Sequence, residues 1–420
     1  MAETGDVDRD ADRRVALAAA SLTLLATVVV WFNYSAVLPR VAEAWSLSGT
    51  AAGALFAAFQ AGYVLAVVPA GRLADRRDPR HVIGAGAFGA GIATLGFALT
   101  ADGFVAGVGW RLVAGVCTAG VYVPGMRFVG DWYADARGRA MGVYVGSFSV
   151  GTGLAFLLAT PLATRVGWRS AVAATSLGAA VAGPALVAVT RAPPATGADA
   201  DTDGGGVRAL LGNRRYRHAV TAYAGHNWEM FAIRNWITAL LLATPVLALR
   251  PNGAAIAGVL AGVLMLAGGL GNLLGGWASD RLGRGRTVAL AVGGSGLITV
   301  GLGLLETIRV PLAGLAVLVV VYGALLTADS APVSTAVAEV VADERVGLAL
   351  SLQSVAGFLV TVVSPVAFGA ALDIGGFRLA FPVLAVGAAV GVAAALALGR
   401  ANAAESADVG EAGAVDVSDD

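Results

Sequence analysis

Gly71-Arg72-Leu73-Ala74-Asp75-Arg76-Arg77 closes one apolar stretch of this chain, and Gly276-Trp277-Ala278-Ser279-Asp280-Arg281-Leu282 closes another. Gly71 and Gly276, Asp75 and Asp280, and Arg76 and Arg281 are each separated by 205 residues, and the same offset carries Trp31 onto Trp236. Two weaker echoes stand at nearly the same distance. Gly167-Trp168-Arg169 recurs as Gly376-Phe377-Arg378 after 209 residues, and Pro124 recurs as Pro332 after 208. A charged turn repeated between long apolar segments predicts a duplicated membrane bundle.

Composition agrees. Hydrophobic residues make up 57% of the 420, charged residues 13%, and mean hydropathy is +0.76, which excludes a soluble helical protein. Glycine and alanine crowd the apolar runs, as expected where helices pack closely in lipid. The formal charge is zero, every basic residue is arginine, and the only cysteine, Cys117, has no internal partner and reads as a small packing residue. The first fourteen residues are charged, and the apolar run after them is too long for a signal-peptide core, so it predicts the first spanning helix.

Measured against the roughly 20 apolar residues that span a bilayer, twelve segments qualify, at about 15–38, 51–70, 82–101, 104–128, 140–162, 170–190, 218–244, 253–275, 287–306, 311–336, 347–371 and 379–400. The expected architecture is an all-α polytopic membrane protein with twelve transmembrane helices in two six-helix bundles, 15–190 and 218–400. A short segment, 1–14, precedes them, a linker at 191–217 containing the polar insert Pro193 to Gly206 joins them, and an acidic tail, 401–420, follows. Arginine is concentrated in the loops on the side of the termini, which predicts cytoplasmic termini and linker in a cell-membrane protein.

These residues resemble the Major Facilitator Superfamily. Gly71 to Arg80 is similar to its signature loop between the second and third helices, Gly276 to Arg286 to the counterpart between the eighth and ninth, and Arg111 with Gly115 and Ala119 to its fourth-helix motif. The resemblance spans nearly the whole chain and implies the twelve-helix fold and alternating-access transport. It departs from the common pattern at Asp78 and Pro79, whereas the second loop keeps Gly283 and Arg284. The fifth helix also lacks the glycine-proline pair of the drug/proton antiporter branch.

Ionisable groups inside spanning segments are expensive and therefore functional candidates. His226, Asn227, Glu229, Arg234 and Asn235 cluster at mid-membrane depth in the seventh segment. His226 and Glu229 share one face, and Asn227 and Arg234 another. This segment is expected to line a central cavity, with Glu229 as the protonatable coupling group, helped by His226. Its competing role is an ion pair that orders the bundle. Arg111 is the first choice for binding an anion or pairing with Glu229. Asn33, Tyr34, Gln60, Tyr63 and Trp31 are candidate cavity residues. Asp75 and Asp280, flanked by Arg76, Arg281, Gly71 and Gly276, are candidate latches between the halves, and Arg127 with Asp329 a candidate gate.

No phosphate-cradling loop with its lysine occurs, and the histidines at 81, 218 and 226 lack metal-site spacing. No cofactor, metal, enzymatic constellation or nucleic-acid partner is expected. The favoured expectation is a monomeric, proton-coupled symporter of a small anion. Proton-driven export of an amphipathic compound and a transporter-like sensor are the alternatives.

Overall fold

The computed structural model describes residues 2–133, 137–193, 204–342 and 345–415; much of the polar insert and the end of the acidic tail lie outside them. The elements are α1 (Ala2–Ala44), α2 (Gly49–Arg76), α3 (Pro79–Thr100), α4 (Phe104–Thr118), α5 (Tyr122–Trp132), α6 (Arg137–Val166) and α7 (Trp168–Val189) in the first half. A short α8 (Gly204–Gly212) leads into the second half. There follow α9 (Arg214–Ala243), α10 (Pro245–Ala248), α11 (Gly253–Leu282), α12 (Arg284–Leu302), α13 (Leu312–Thr327), α14 (Ser330–Glu339) and α15 (Val346–Val415).

Ten segments of the described residues are long and apolar enough to cross a bilayer. One of them, Val346–Ala403, is two helices, because Gly375 (φ −144°, ψ 23°) and Gly376 (φ 64°, ψ −166°) break α15. The 30-residue α9 is as long as its neighbours but too polar to be counted with them. Ten, one more for the division, and α9 make the twelve expected spans.

The sequence echoes acquire physical causes. Gly167 and Gly376, each opening the last helix of its half, both hold positive φ, 83° and 64°; an L side chain is strained there. Two spans are interrupted, between α4 and α5 and between α13 and α14. Pro124 and Pro332 stand four residues beyond Gly120 and Ala328, where those breaks fall, because a proline ring clashes with the carbonyl four residues earlier.

The halves meet along three seams, α1 with α9, α2 with α15, and α6 with α11. At the second seam backbone touches backbone: a Cβ on Gly53 would stand 2.2 Å from the Pro365 carbonyl oxygen. This contact lies toward the end of the bundle remote from the termini.

Candidate functional site

Helix α9 is two-faced. At 3.6 residues per turn, Phe231 and Arg234 fall on one side and His226 and Glu229 on another. The first side meets the other half; the second is buried among α12, α13 and α14. The two faces expected from helical spacing are thus seen to have different surroundings, and the neighbouring helices decide what each one meets.

At the seam, aromatic rings from both halves gather around Trp31. Its ring centroid lies 5.8 Å from Phe32, 4.8 Å from Tyr63 and 5.7 Å from Phe148 in its own half. Across the seam it lies 6.4 Å from Phe231 and 6.1 Å from Phe358. The Arg234 guanidinium rests against the same cluster, 5.6 Å from Phe32, 5.7 Å from Phe148 and 5.2 Å from Phe231. Arg234 is 8% exposed, its Nε has no acceptor, and among the described residues it makes no hydrogen bond or ion pair. Ring faces attract a cation but do not replace a carboxylate.

The polar groups beside this cation are mostly engaged. Trp31 Nε1 donates to Gln60 Oε1 at 2.6 Å, and Gln60 Nε2 donates across the seam to Thr361 Oγ1 at 2.8 Å. Ser35 Oγ donates to Asn235 Oδ1 at 3.3 Å, while Asn235 Nδ2 is buried without an acceptor.

Arg111 occupies a different setting. It is 1% exposed inside the first half, 4.5 Å over Phe59 and 5.1 Å over Tyr34. Its Nε donates to the Leu55 carbonyl at 3.4 Å and its Nη2 to that of Trp31 at 3.3 Å. The expected pairing with Glu229 is not formed. Tyr34 donates to the Ala52 carbonyl at 2.8 Å and Asn33 to Thr175 at 3.1 Å, so these two also face the interior of their own half. Asn227 donates to the Tyr223 carbonyl one turn earlier on α9, at 2.9 Å.

Glu229, 1% exposed, accepts from Ser295 at 3.0 Å, from Thr299, and from Tyr322 at 3.3 Å. Its neighbour on the same face, His226, has Nδ1 2.9 Å from Asp329 Oδ1 and Nε2 3.3 Å from Ser330 Oγ. The His226–Asp329 approach is close enough for an ion pair but lacks hydrogen-bond geometry, so neither Asp329 oxygen receives a hydrogen bond. Two carboxyls and one imidazole are thus buried close together, with no arginine bridged to either acid among the described residues.

The expected Arg127–Asp329 gate is also corrected. Arg127 pairs with Asp75 and, at 3.6 Å, with Asp131, all in the first half, while Asp329 is taken by His226. Asp280 pairs with Arg284 at 2.5 Å, and Arg284 reaches Glu339 at 2.9 Å. Each signature aspartate therefore has a partner in its own half. Arg281 lies 3.8 Å over Trp277, and Arg76 is exposed. Gly71 has open space around it, and a Cβ on Gly276 would make an ordinary contact with Ala331 at 3.9 Å.

At the opposite end, Asp373 caps the start of α2 across the seam. Its Oδ1 accepts from Gly49 N–H at 2.6 Å, and its Oδ2 accepts from Thr50 N–H at 2.9 Å and from Thr50 Oγ1 at 2.7 Å. Partial burial pushes this carboxyl up, but the hydrogen bonds from Thr50 and Gly49 outweigh it and hold it below the usual carboxylate range. Asp373, Phe148, Phe231, Phe358, Ser295, Thr299 and Tyr322 were not singled out by sequence. The three-residue spacing of Phe231 and Arg234 was the one available signal.

The chain matches the family model described as Major Facilitator Superfamily over residues 20–305 and 231–417. It is 28% identical over 163 residues to a probable L-galactonate transporter of Escherichia coli (strain K12), covering 37% of this chain and 35% of that protein. It is 25% identical over 304 residues to a gallate transporter of Pseudomonas putida, covering 64% of this chain and 66% of that one. A D-galactonate transporter of Escherichia coli O6:H1 is 31% identical over 141 residues, 32% of either chain. The alignments thus span from about a third to just under two thirds of these relatives' lengths. Among solved structures, a bacterial homolog of the human lysosomal transporter Spinster, inward-facing and occupied, superposes with a TM-score of 0.79 at 16% identity, over 93% of this chain and 97% of that one. A nucleoside transporter superposes at 0.71 and 13% identity, over 91% and 98%. At such identities the likeness is one of fold.

Proposed function

Since this chain belongs to the Major Facilitator Superfamily, and is accordingly a multi-pass membrane transporter and not an enzyme, we propose that it carries a small organic anion by alternating access, coupled to a proton gradient. One observation carries this reading: Arg234, a buried cation without an acidic partner, lies at the seam where the halves must part. Removing a guanidinium from water costs several kcal/mol unless a counter-charge is supplied, and an anionic solute supplies it. The named relatives, transporters of galactonate and gallate, support an anion over a cation.

Proton coupling rests on charge counting in the second half. With Glu229 and Asp329 ionised and His226 protonated, the cluster holds one negative charge too many for a buried environment. One further proton neutralises it. Glu229 is the carboxyl assigned to carry that proton.

The arginine-rich end, with both termini, faces the cytoplasm of a cell membrane in this reading. The Asp75–Arg127 and Asp280–Arg284–Glu339 pairs brace each half so that it rocks as a body. The protein is proposed to act as a monomer.

Purified protein in proteoliposomes tests the proposal. Organic anions should stabilise it against heat and accumulate when an inward proton gradient is imposed, and Arg234→Gln should abolish both. Stabilisation by amphipathic cations alone would overturn the anion reading in favour of export.

A further inference from the structure

We infer that the transported anion carries a planar aromatic ring: the site is built for an aryl carboxylate rather than a polyhydroxylated sugar acid. The inference rests on the proposed anion site at Arg234 and deepens it.

Two kinds of group surround Arg234. The first is aromatic. Phe32 and Phe148 from one half and Phe231 from the other stand around the guanidinium, and Trp31 and Phe358 continue the cluster within 6.4 Å centroid distances. Rings from opposite halves are now in contact with one another, so they must separate when the halves part. A flat ligand ring entering between them replaces those contacts with equivalent offset or edge-to-face ones. An aliphatic polyol has no face to offer.

The second kind is polar, and its capacity is small. A sugar acid presents a hydroxyl on nearly every carbon, and in a dry site each needs a donor or acceptor. Gln60, Thr361 and Ser35 are already committed, Gln60 to both Trp31 and Thr361, and Ser35 to Asn235. What remains on this stretch of α9 is mostly donor: Arg234 Nε and Asn235 Nδ2 on consecutive residues, with the single Thr238 hydroxyl one turn on. The two N–H donors match a carboxylate, and one hydroxyl leaves little capacity for a polyol.

Calorimetric titration of the purified full chain with benzoate, gallate and galactonate, all at one salt concentration, tests this. Benzoate or gallate should bind at least tenfold tighter than galactonate. In Phe231→Leu and Phe358→Leu that preference should fall below threefold by loss of aryl-acid affinity, while galactonate affinity stays within a factor of two. Galactonate binding as tightly as the aryl acids, with Arg234→Gln abolishing it, would overturn the aromatic inference and leave the anion site standing. Absence of binding by all three acids would overturn both. The comparison of ligands on the unaltered protein does not depend on the variants folding.

Discussion

The two halves share a fold and a repeated loop, but they do not share buried charge. Among the described residues the first half buries one ionisable side chain of this kind, Arg111, and ties it to backbone carbonyls; the second buries His226, Glu229, Arg234 and Asp329. The contrast between the two arginines is the sharpest form of this asymmetry. Both are buried against aromatic rings, but Arg111 donates to two carbonyls of its own half, with Nη1 left over, whereas Arg234 faces a seam and makes no hydrogen bond among the described residues. In the proposed function the second half therefore supplies the titratable and ligand-facing groups, and the first half the wall they face.

Four measurements bear on that comparison. Arg234→Gln should weaken anion binding at least 100-fold, in line with the 2–5 kcal/mol typical of removing one partner of a buried charge pair, with little change in melting temperature. Next in size is Glu229→Gln, which should cut accumulation driven by a proton gradient at least tenfold while leaving counterflow exchange near the wild-type rate. Unchanged gradient-driven uptake would remove the second half's assigned part in coupling. Arg111→Gln should do the reverse of Arg234→Gln. It should lower stability by about 2 kcal/mol, since carbonyls lose their charged donor, and leave the affinity of the folded fraction within about threefold. If Arg111→Gln instead abolishes binding, the asymmetry fails.

The smallest effect concerns Asp373, which joins the halves from the exposed end. Because its native carboxyl is held below the usual range, its contribution is present at neutral pH and disappears as pH falls through that depressed value. Asp373→Ala should therefore melt a few degrees below the wild type between about pH 6 and 8, with the difference shrinking towards pH 3 (thermal unfolding in a pH series). A difference that grew on acidification would contradict the capping role.

Much of the fold was legible because a bilayer imposes it. Apolar length set the spans, but the breaks before Pro124 and Pro332 could not be told by sequence from Pro39 and Pro365, which their helices carry without a break at those positions. The site was legible in depth but not in direction. The spacing of His226, Asn227, Glu229 and Arg234 separated two faces of α9, but which face met the other half depended on Ser295, Thr299 and Tyr322, ordinary residues of helices far along the chain. The rings were hidden for the opposite reason: Phe148, Phe231 and Phe358 are unremarked in apolar helices until packing brings them together. The signature aspartates were legible as loop residues, but their partners, Arg127 and Arg284, were decided by how each half folds back on itself.

Helix α9 carries a further consequence, for how the chain enters the bilayer at all. A central arginine or acidic residue adds about 2.5–3.5 kcal/mol to the insertion of an isolated helix, and α9 carries Glu229 and Arg234 within six residues of each other, with His226 one turn away. The hydroxyls that receive Glu229, and the Asp329 that receives His226, lie on segments synthesised after it. The polar cost of α9 is thus met by groups on helices that follow it in the chain, so the helix and its later partners depend on one another within the second half.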